Sequence, residues 1–321
     1  MKAIVTGAAG FIGSHLCERL LKNGWSVVGV DNFDNFYAPQ IKRDNIKDCL
    51  ANSRFQMIEA DVRDTGKMND IVGKGADSTS SPPAEVIVHL AAKAGVRPSI
   101  EQPLVYADVN INGTMSLLEA ARKNRTGKFI FASSSSVYGN NKKTPFSESD
   151  NVDFPISPYA ATKKAGELLC HTYHHLYGIP LTCLRFFTVY GPRQRPDLAI
   201  HKFARLIEQG KPIPVFGDGN MLRDFTYIDD IIDGTMAAIS KCAGFNIYNL
   251  GESKPISVSD LIKELEKALG KKAIIERLPK QPGDVEKTFA DVSKARKDLG
   301  YNPNTDISAG LNRFVKWLKH N

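Results

Sequence analysis

The sequence has no apolar run long enough to cross a membrane, although 42% of its 321 residues are hydrophobic. A strand-like run, Ala3–Val5, begins after a single lysine, so we expect no signal peptide. A chain of this length can bury a sizeable core as one large domain or as two unequal ones. We therefore expect a globular protein of the cytoplasm that does not use a membrane as a partner.

Cysteine is scarce, and its spacing fits neither a disulfide framework nor a zinc site. The cysteines are odd in number, far apart and free of paired metal-ligand spacings: Cys17, Cys49, Cys170, Cys183 and Cys242. His171 and His175 stand four apart with His174 beside them, as on one side of a helix, but no nearby acid or fourth ligand completes a metal site. We predict no metal.

The sequence also lacks a basic run with interleaved aromatic residues. Its formal net charge of +7 comes from 42 basic and 35 acidic residues that are spread along the chain. Basic and acidic residues alternate in segments such as Lys263–Lys267, as on a solvated helix. The charge therefore indicates no nucleic-acid partner, and a small phosphate-bearing ligand accounts for it equally well.

In the first half of the chain, short β-branched runs alternate with helical patterns. This rhythm predicts a doubly wound parallel sheet with helices on both faces, the Rossmann type of α/β fold. A surface loop is predicted at Gly73–Pro83. The predicted strands are Ala3–Val5, Ser26–Val30, Phe55–Ile58, Val86–Leu90, Lys128–Ala132 and Leu181–Arg185.

After about Arg185 the rhythm gives way to loop-rich sequence, which predicts a smaller mixed α/β domain. We expect residues 1–187 to form a dinucleotide-binding domain, with a returning segment near 225–250, and residues 188–321 to form an interleaved substrate domain. Phe245–Leu250 is predicted as a strand that rejoins the main sheet. Late helices are expected near Val258–Leu269 and Ile307–Lys319.

A glycine-rich turn follows the first predicted strand and opens a helix running from Ser14 toward Asn23. Such a turn lets the backbone approach a pyrophosphate at the positive end of the helix. Asp31 ends the next strand, where an acid binds the adenosine ribose and repels a 2′-phosphate, so NAD is favoured over NADP. The expected NAD contacts here are Gly7, Gly10, Phe11, Ile12, Gly13, Asp31 and Asn32.

Three further segments follow later strands and are expected in the same pocket, because ligands of open parallel sheets lie outside the carboxyl ends of the strands. For Asp61 alone, a helix cap is an equally good interpretation. The segments supply Asp61 and Val62, then Leu90, Ala91 and Ala92 after His89, and finally the run Ser133–Ser136.

Tyr159 and Lys163 stand four apart at the start of a helical segment, so both face the same way. An ammonium near a phenol stabilises the phenolate, which makes Tyr159 a usable base for a sugar hydroxyl proton. Ser134, at the end of the fifth strand, can donate or accept a hydrogen bond at the same oxygen. These three residues are the predicted catalytic group.

Together these motifs resemble extended short-chain dehydrogenases that act on nucleotide sugars, over nearly the whole chain. The similarity is greatest to UDP-glucuronate 4-epimerases, through Ala94–Arg97, Ser133–Gly139, Arg185–Pro192 and Arg195–Asp197. The resemblance implies NAD as cofactor and inversion of carbon 4 of UDP-glucuronic acid, giving UDP-galacturonic acid through a transient 4-keto sugar. By the same analogy, Lys163 binds the nicotinamide ribose.

The resemblance also implies how the UDP part is bound. Arg223 would pair with the pyrophosphate, the run Pro212–Phe216, including Val215, would line the uracil, and Asp284 would meet the uridine ribose. Related epimerases often have arginine where Gln281 stands, so a second phosphate arginine is not predicted with the same strength. The alternative for Arg223 is an exposed salt bridge with Asp224 or another neighbour.

The carboxylate of the sugar needs a counter-group, and Arg195 is our choice because a guanidinium pairs bidentately with a carboxylate. Thr188 and Ser136 would add hydroxyl contacts, and Arg193 is the rival arginine. Arg97, Ser134, Ser135 and Tyr159 complete the expected substrate contacts.

Other activities remain open. A 4,6-dehydratase needs an Asp-Glu pair where this chain has Ser135 and Ser136. A 4-epimerase of UDP-glucose or UDP-N-acetylglucosamine would leave Arg195 without an evident partner. A non-catalytic dinucleotide sensor is the alternative of a different class, although such proteins typically lack the tyrosine and lysine. In related enzymes, the helix after Asn110 and the helix after Tyr159 form a dimer interface, which implies a homodimer.

Overall fold

The computed structural model describes residues 1–74, 84–279 and 287–320, which form two compact units. The first unit comprises residues 1–139, 151–185 and 235–248, and the second comprises 140–150, 186–234 and 249–321. The chain therefore enters and leaves each unit more than once. No helix in the described part is long and apolar enough to cross a bilayer.

A seven-stranded sheet dominates the first unit. Six of its strands are β1 (Lys2–Thr6), β2 (Ser26–Asp31), β3 (Phe55–Glu59), β4 (Val86–His89), β5 (Lys128–Ser134) and β6 (Leu181–Phe186). The seventh is β11 (Phe245–Leu250), and the order across the sheet is β11-β6-β5-β4-β1-β2-β3. Strands β1 to β5 pair in parallel. This confirms the doubly wound α/β class, with its reversal of strand order beside β1.

Helices join these strands. They are α1 (Phe11–Lys22), α2 (Pro39–Asn45), α3 (Lys47–Leu50), α4 (Thr65–Lys74), α5 (Val96–Glu101), α6 (Pro103–Ala107), α7 (Gly113–Lys123) and α8 (Pro158–Tyr177). A π-helical turn, Asp108–Asn112, leads into α7. One hydrophobic core lies where α4 and α7 pack together, with members such as Met68, Leu117 and Phe129.

The second unit has three two-stranded sheets: β7 (Thr188–Tyr190) with β10 (Phe225–Tyr227), β9 (Leu222–Arg223) with β12 (Ile256–Ser257), and β8 (Pro212–Phe216) with β13 (Ile274–Leu278). Its helices are α9 (Ala199–Glu208), α11 (Val258–Leu269), α12 (Ser293–Leu299) and α13 (Ile307–Leu318), while α10 (Ile228–Lys241) runs across the boundary of the two units. Ser257 caps α11 by accepting the Asp260 amide at 3.0 Å.

Candidate active site

The glycine turn after β1 is built for a close ligand. Gly7 has φ +69°, and a Cβ on Gly13 would lie only 2.0 Å from the Gly7 carbonyl oxygen, so the turn and α1 pack more closely than any side chain permits. Helix α1 begins after Gly10 with no side-chain cap. The first amides of a 12-residue helix are thus not bonded by a capping side chain, as an anion site requires. Phe11 is buried beside the turn and Ile12 is half-buried.

Asp31, at the end of β2, ties this strand to the glycine turn. Its two carboxylate oxygens accept the amides of Ala9 at 3.1 Å and Phe33 at 2.9 Å. Burial raises the pKa of this carboxyl, against the charge of Lys42. Each oxygen keeps a second lone pair, so Asp31 has acceptor capacity left for a ribose hydroxyl.

Asp61 does not cap a helix. Asp64 is the residue that accepts the Lys67 amide at the start of α4, at 2.9 Å. The Asp61 carboxylate instead binds Arg63 and accepts the Asn32 amide group at 2.9 Å. Hydrogen bonds from Arg63 hold the pKa of Asp61 well below its usual range. Asp61 therefore links the ends of β2 and β3, while Val62 is buried in the core.

A chain of hydrogen bonds starts at the end of β1. Thr6 bonds His89 Nδ1 at 2.7 Å and accepts the Ala91 amide at 3.3 Å. His89 Nε2 bonds Thr114 at 3.0 Å, and the Thr114 hydroxyl donates to the Asn110 carbonyl at 2.6 Å. Since the Thr114 proton is used there, His89 carries its proton on Nε2. Leu90, Ala91 and Ala92 follow β4 and are half-buried.

The series of hydrogen bonds continues from Asn110 to helix α8. The Asn110 side chain bonds the amide and the carbonyl of Lys93, at 2.8 and 3.0 Å, and donates to Thr162 at 3.0 Å. Thr162 in turn donates to the Tyr159 carbonyl at 2.8 Å. In the sequence, Asn110 marks only the position before a helix, and no functional role is predicted for it. A lone asparagine carries no signal of its own, and the π-helical turn that aims it is not visible in composition.

Ser134 ends β5 and caps the short 3-10 turn Ser135–Tyr138. Its hydroxyl accepts the Ser136 amide at 3.1 Å and donates to the Ser136 hydroxyl at 3.1 Å. Ser134 is 9% exposed, whereas Ser135 and Ser136 are half-buried. Two hydroxyls of the predicted site are therefore held within hydrogen-bond distance of each other.

Helix α8 carries Tyr159 and Lys163 near its start, which is fixed by Ser157 accepting the Ala160 amide at 3.1 Å. The Lys163 ammonium donates to the Ala132 carbonyl at 2.7 Å, two residues before Ser134. Burial lowers the pKa of Lys163 to about 8. The Tyr159 ring meets Tyr106 edge to face, with centroids 6.2 Å apart. The structure thus brings the lysine to the strand that carries the serine.

The predicted phosphate ligand Arg223 lies half-buried in β9 of the second unit. Its Nη1 donates to the Leu222 carbonyl at 3.0 Å. Asp224 faces away from solvent and accepts the amides of Glu252, Ser253 and Ala290 at 2.8 to 3.1 Å. The alternative of an exposed salt bridge between Arg223 and Asp224 is therefore wrong, because Asp224 is fully buried.

Arg195 already has an acidic partner. Its Nε and Nη2 bind the two oxygens of Asp197 at 3.0 and 2.7 Å. A neutral sugar would therefore not leave Arg195 unpaired, contrary to the expectation from the sequence, because the protein itself supplies a carboxylate. The rival Arg193 adopts φ +64°, a conformation that costs energy outside glycine.

The remaining predicted substrate residues are dispersed. Thr188 begins β7 and its amide donates to the Asp224 carbonyl at 3.1 Å. Val215 in β8 is 1% exposed, while its neighbours Pro214 and Phe216 are half-buried. Arg97 is exposed on α5. Asp284 lies outside the described residues, as does Gln281.

The three histidines of α8 pack on the helix surface. The exposed His171 and His175 rings stack 6.4 Å apart, and His174 bonds the Ile179 carbonyl at 2.9 Å. Within residues 1–74, 84–279 and 287–320, no three His, Cys, Asp or Glu side chains come together as a metal site.

Known proteins are similar to this chain over nearly its whole length. The family described as GDP-mannose 4,6 dehydratase matches residues 4–314. The UDP-glucuronate 4-epimerase of Thermodesulfobacterium geofontis is 46% identical over 319 residues, which cover 99% of this chain and 96% of that protein.

Two solved structures extend the comparison. UDP-glucuronic acid 4-epimerase from Bacillus cereus, in complex with UDP-glucuronic acid and NAD, is 43% identical with a TM-score of 0.91, over 100% of this chain and 99% of that one. UDP-glucose 4-epimerase from Thermotoga maritima, with UDP-glucose, is 33% identical with a TM-score of 0.89, again over 100% and 99% of the two chains. The chain therefore belongs to the extended short-chain dehydrogenase/reductase family of nucleotide-sugar epimerases and dehydratases.

Proposed function

We propose that this protein is an NAD-dependent 4-epimerase that interconverts UDP-glucuronic acid and UDP-galacturonic acid. The observation that carries the proposal is the Lys163 ammonium bonded to the Ala132 carbonyl, on the strand that ends at Ser134. This contact joins the helix of Tyr159 to strand β5, which ends at Ser134. The two UDP-glucuronate epimerases described above are 46% and 43% identical to the chain, against 33% for the UDP-glucose epimerase.

The residues present fit NAD. Gly7 and Gly13 let the glycine turn, α1 and the backbone after β4 pack closely, and the amides of α1 without a capping side chain suit a pyrophosphate. Asp31 and Asn32 at the end of β2 would hold the adenosine ribose, with Asp61, Val62, Leu90, Ala91 and Ala92 along the other strand ends. When bound, NAD supplies the acceptor for the hydride of carbon 4 and its return to the other face.

Tyr159 would take the proton of the sugar O4 hydroxyl as the carbon 4 hydrogen leaves, and would return it when the hydrogen comes back. The Lys163 ammonium would stabilise the phenolate form of Tyr159 and would bind the nicotinamide ribose. Because burial brings the pKa of Lys163 to about 8, the ammonium predominates at neutral pH. Ser134 would hold O4 by donating its hydroxyl proton, which in the structure is donated to the Ser136 hydroxyl at 3.1 Å.

A sugar that turns over during the reaction must be held mainly through its UDP part. Arg223 would bind the pyrophosphate, Val215 and its neighbours the uracil, and Asp284 the uridine ribose. Arg97, Ser135, Ser136 and Thr188 would add polar contacts. This division leaves the hexose free to present either face of carbon 4.

The carboxylate creates a chemical hazard. A 4-keto sugar with a carboxylate on carbon 5 is a β-keto acid, which loses carbon dioxide when the carboxylate bond aligns with the ketone π system. Arg195 would hold this bond out of alignment by bidentate pairing, in exchange for or together with Asp197. The same contact would thus give affinity and suppress a side reaction.

The test is incubation of the purified protein with UDP-glucuronic acid and, separately, with UDP-glucose and UDP-N-acetylglucosamine. Product formation is followed by NMR without added reductant. We expect UDP-galacturonic acid with little UDP-pentose, and weak turnover of the neutral sugars. Tyr159→Phe is the matched inactive control, because it removes only the hydroxyl group of the proposed base. Turnover of a neutral UDP-sugar without turnover of UDP-glucuronic acid contradicts the proposed substrate. No turnover of any of the three UDP-sugars favours a dinucleotide sensor.

We also propose a homodimer and a cytoplasmic location, and other features support these proposals. Large apolar side chains are exposed on α7 and α8, which fits a homodimer built on these helices: Met115, Leu168, Leu176 and Tyr177. All five cysteines are buried free thiols, which suits the cytoplasm.

A further inference from the structure

A fully buried ion pair lies beside the end of β5. Glu167 on α8 and Arg185 on β6 are 2% and 1% exposed. Two parallel bonds of 2.8 Å join them, from Nε to Oε1 and from Nη2 to Oε2. The bidentate geometry fixes the orientation of both side chains, and neither belongs to the proposed catalytic or binding residues.

The ion pair is hydrogen-bonded to the two residues that flank segment 134–137. The Ser133 hydroxyl donates to Glu167 Oε1 at 2.6 Å, and Arg185 Nη1 donates to the Tyr138 hydroxyl at 2.9 Å. Ser133 and Tyr138 are the residues on either side of segment 134–137. Both are 3% exposed, so these bonds are shielded from competing water.

The ion pair is also close to the catalytic helix. Glu167 follows Lys163 by one helical turn, so the two side chains point the same way from α8. Lys163 reaches Ala132 and Glu167 reaches Ser133, which are adjacent residues of β5. The helix is therefore fastened to the end of β5 at two points.

Stability alone does not explain this arrangement. Removing two charges from water costs free energy that the pair regains only with good geometry, and apolar replacements of such pairs are often as stable. A better-attested use of a buried polar group is to select one register among several. Here the buried ion pair selects one position of segment 134–137 against α8.

We infer that Glu167 and Arg185 are positioning residues for the epimerisation, which act through Ser133 and Tyr138. They hold the Ser134 and Ser136 hydroxyls at a fixed place relative to Tyr159. A catalytic hydroxyl that moves by about 1 Å can slow a reaction by up to 10²-fold. This inference rests on the proposed function for its kinetic readout.

Ser133→Ala and Tyr138→Phe test it, because each removes one hydroxyl and leaves the ion pair in place. We expect kcat to fall about tenfold in each variant, with KM and bound NAD unchanged within about twofold. The kinetic isotope effect of a sugar deuterated at carbon 4 should increase, because hydride transfer becomes slower. Tyr173→Phe is the matched control, since Tyr173 on α8 donates to the Glu119 carboxylate at 2.7 Å in a similar bond.

Hydrogen exchange of segment 133–139 gives a readout that needs no turnover. Exchange should be faster in both variants than in the wild type, and unchanged in Tyr173→Phe. Unchanged exchange and kcat overturn the inference. So does a lower kcat with unchanged exchange, which means fewer active molecules rather than a displaced serine. If the wild type does not convert UDP-glucuronic acid, only the proposed function is contradicted. The hydrogen exchange of segment 133–139 then tests the positioning role.

Discussion

Among single residues, Arg195 is the proposed partner of the sugar carboxylate, and it is already paired in the protein. Asp197 occupies its Nε and Nη2 edge in the bidentate geometry that a substrate carboxylate would use. A bound acid must displace Asp197 or share the guanidinium with it. In the proposed mechanism, specificity would therefore depend on the competition between two carboxylates.

Arg195→Ala should raise KM for UDP-glucuronic acid by about 10- to 100-fold, since hydrogen bonds to charged groups contribute about 1.5–3 kcal/mol. It should also increase the UDP-pentose by-product, because the carboxylate loses its restraint. Asp197→Asn should lower KM for the acid, because the competing charge is gone. Steady-state kinetics with NMR analysis of products measures all three effects.

Arg193→Ala is the control for these variants, since it removes the rival guanidinium from the same segment. It should leave KM for the acid within about twofold of the wild type, a smaller change than loss of a charged hydrogen bond gives. A large KM increase in Arg193→Ala, with little change in Arg195→Ala, would transfer the carboxylate role to Arg193.

At the scale of secondary-structure elements, local pattern predicts the framework well. The β-branched runs give all six early strands within a residue or two, and Phe245–Leu250 is confirmed as the returning strand. Helix α11 begins after a serine cap and ends before Gly270, signals that are present in the sequence itself. Hydrophobic periodicity and capping act over a few residues, so they can be read without the fold.

The bonds that organise the site could not be predicted, because their partners are distant in sequence. Nothing local to Glu167 indicates that Arg185 will bind it, and Asp224 shows no sign of accepting three amides from loops 28 or more residues away. The pairing of Arg195 with Asp197 is local but depends on rotamers. Local sequence patterns indicate the candidate reacting groups, but they carry no signal for the distant residues that hold those groups in place.

The hydrogen-bond chain through His89 joins β1, β4 and α7, and it should make stability depend on pH. Burial, with the charge of Lys163, lowers the pKa of His89 to about 3. In the unfolded chain the His89 imidazole is protonated below about pH 6.5, whereas in the folded protein it stays neutral there. The contribution of His89 is therefore complete above about pH 6.5 and is lost progressively as the pH falls toward about 3.

Urea unfolding at pH 7.5, 6 and 5 measures this dependence. Below pH 6 the free energy of unfolding should fall by about 1.4 kcal/mol per pH unit from this residue alone. His89→Gln should be less stable at pH 7.5, because one bond to Thr6 or Thr114 is lost, and should have a flatter dependence. A slope identical to the wild type would mean that His89 is not a source of acid sensitivity.

For the whole molecule, the proposed homodimer depends on the exposed apolar residues of α7 and α8. Leu168 is 56% exposed on α8, and Leu50 on α3 is 54% exposed, so the two leucines are a matched pair. In a two-fold interface built on α8, each changed residue occurs twice, which doubles the effect of one substitution.

Leu168→Glu should therefore weaken the dimer by on the order of 100-fold, because burying a charge without a partner is unfavourable. Leu50→Glu should leave the dimer intact. Sedimentation at micromolar concentration should report about twice the 35.3 kDa chain mass for the wild type and Leu50→Glu, and the chain mass for Leu168→Glu. A wild type that sediments as a monomer contradicts the dimer, while a Leu168→Glu dimer moves the interface to another face.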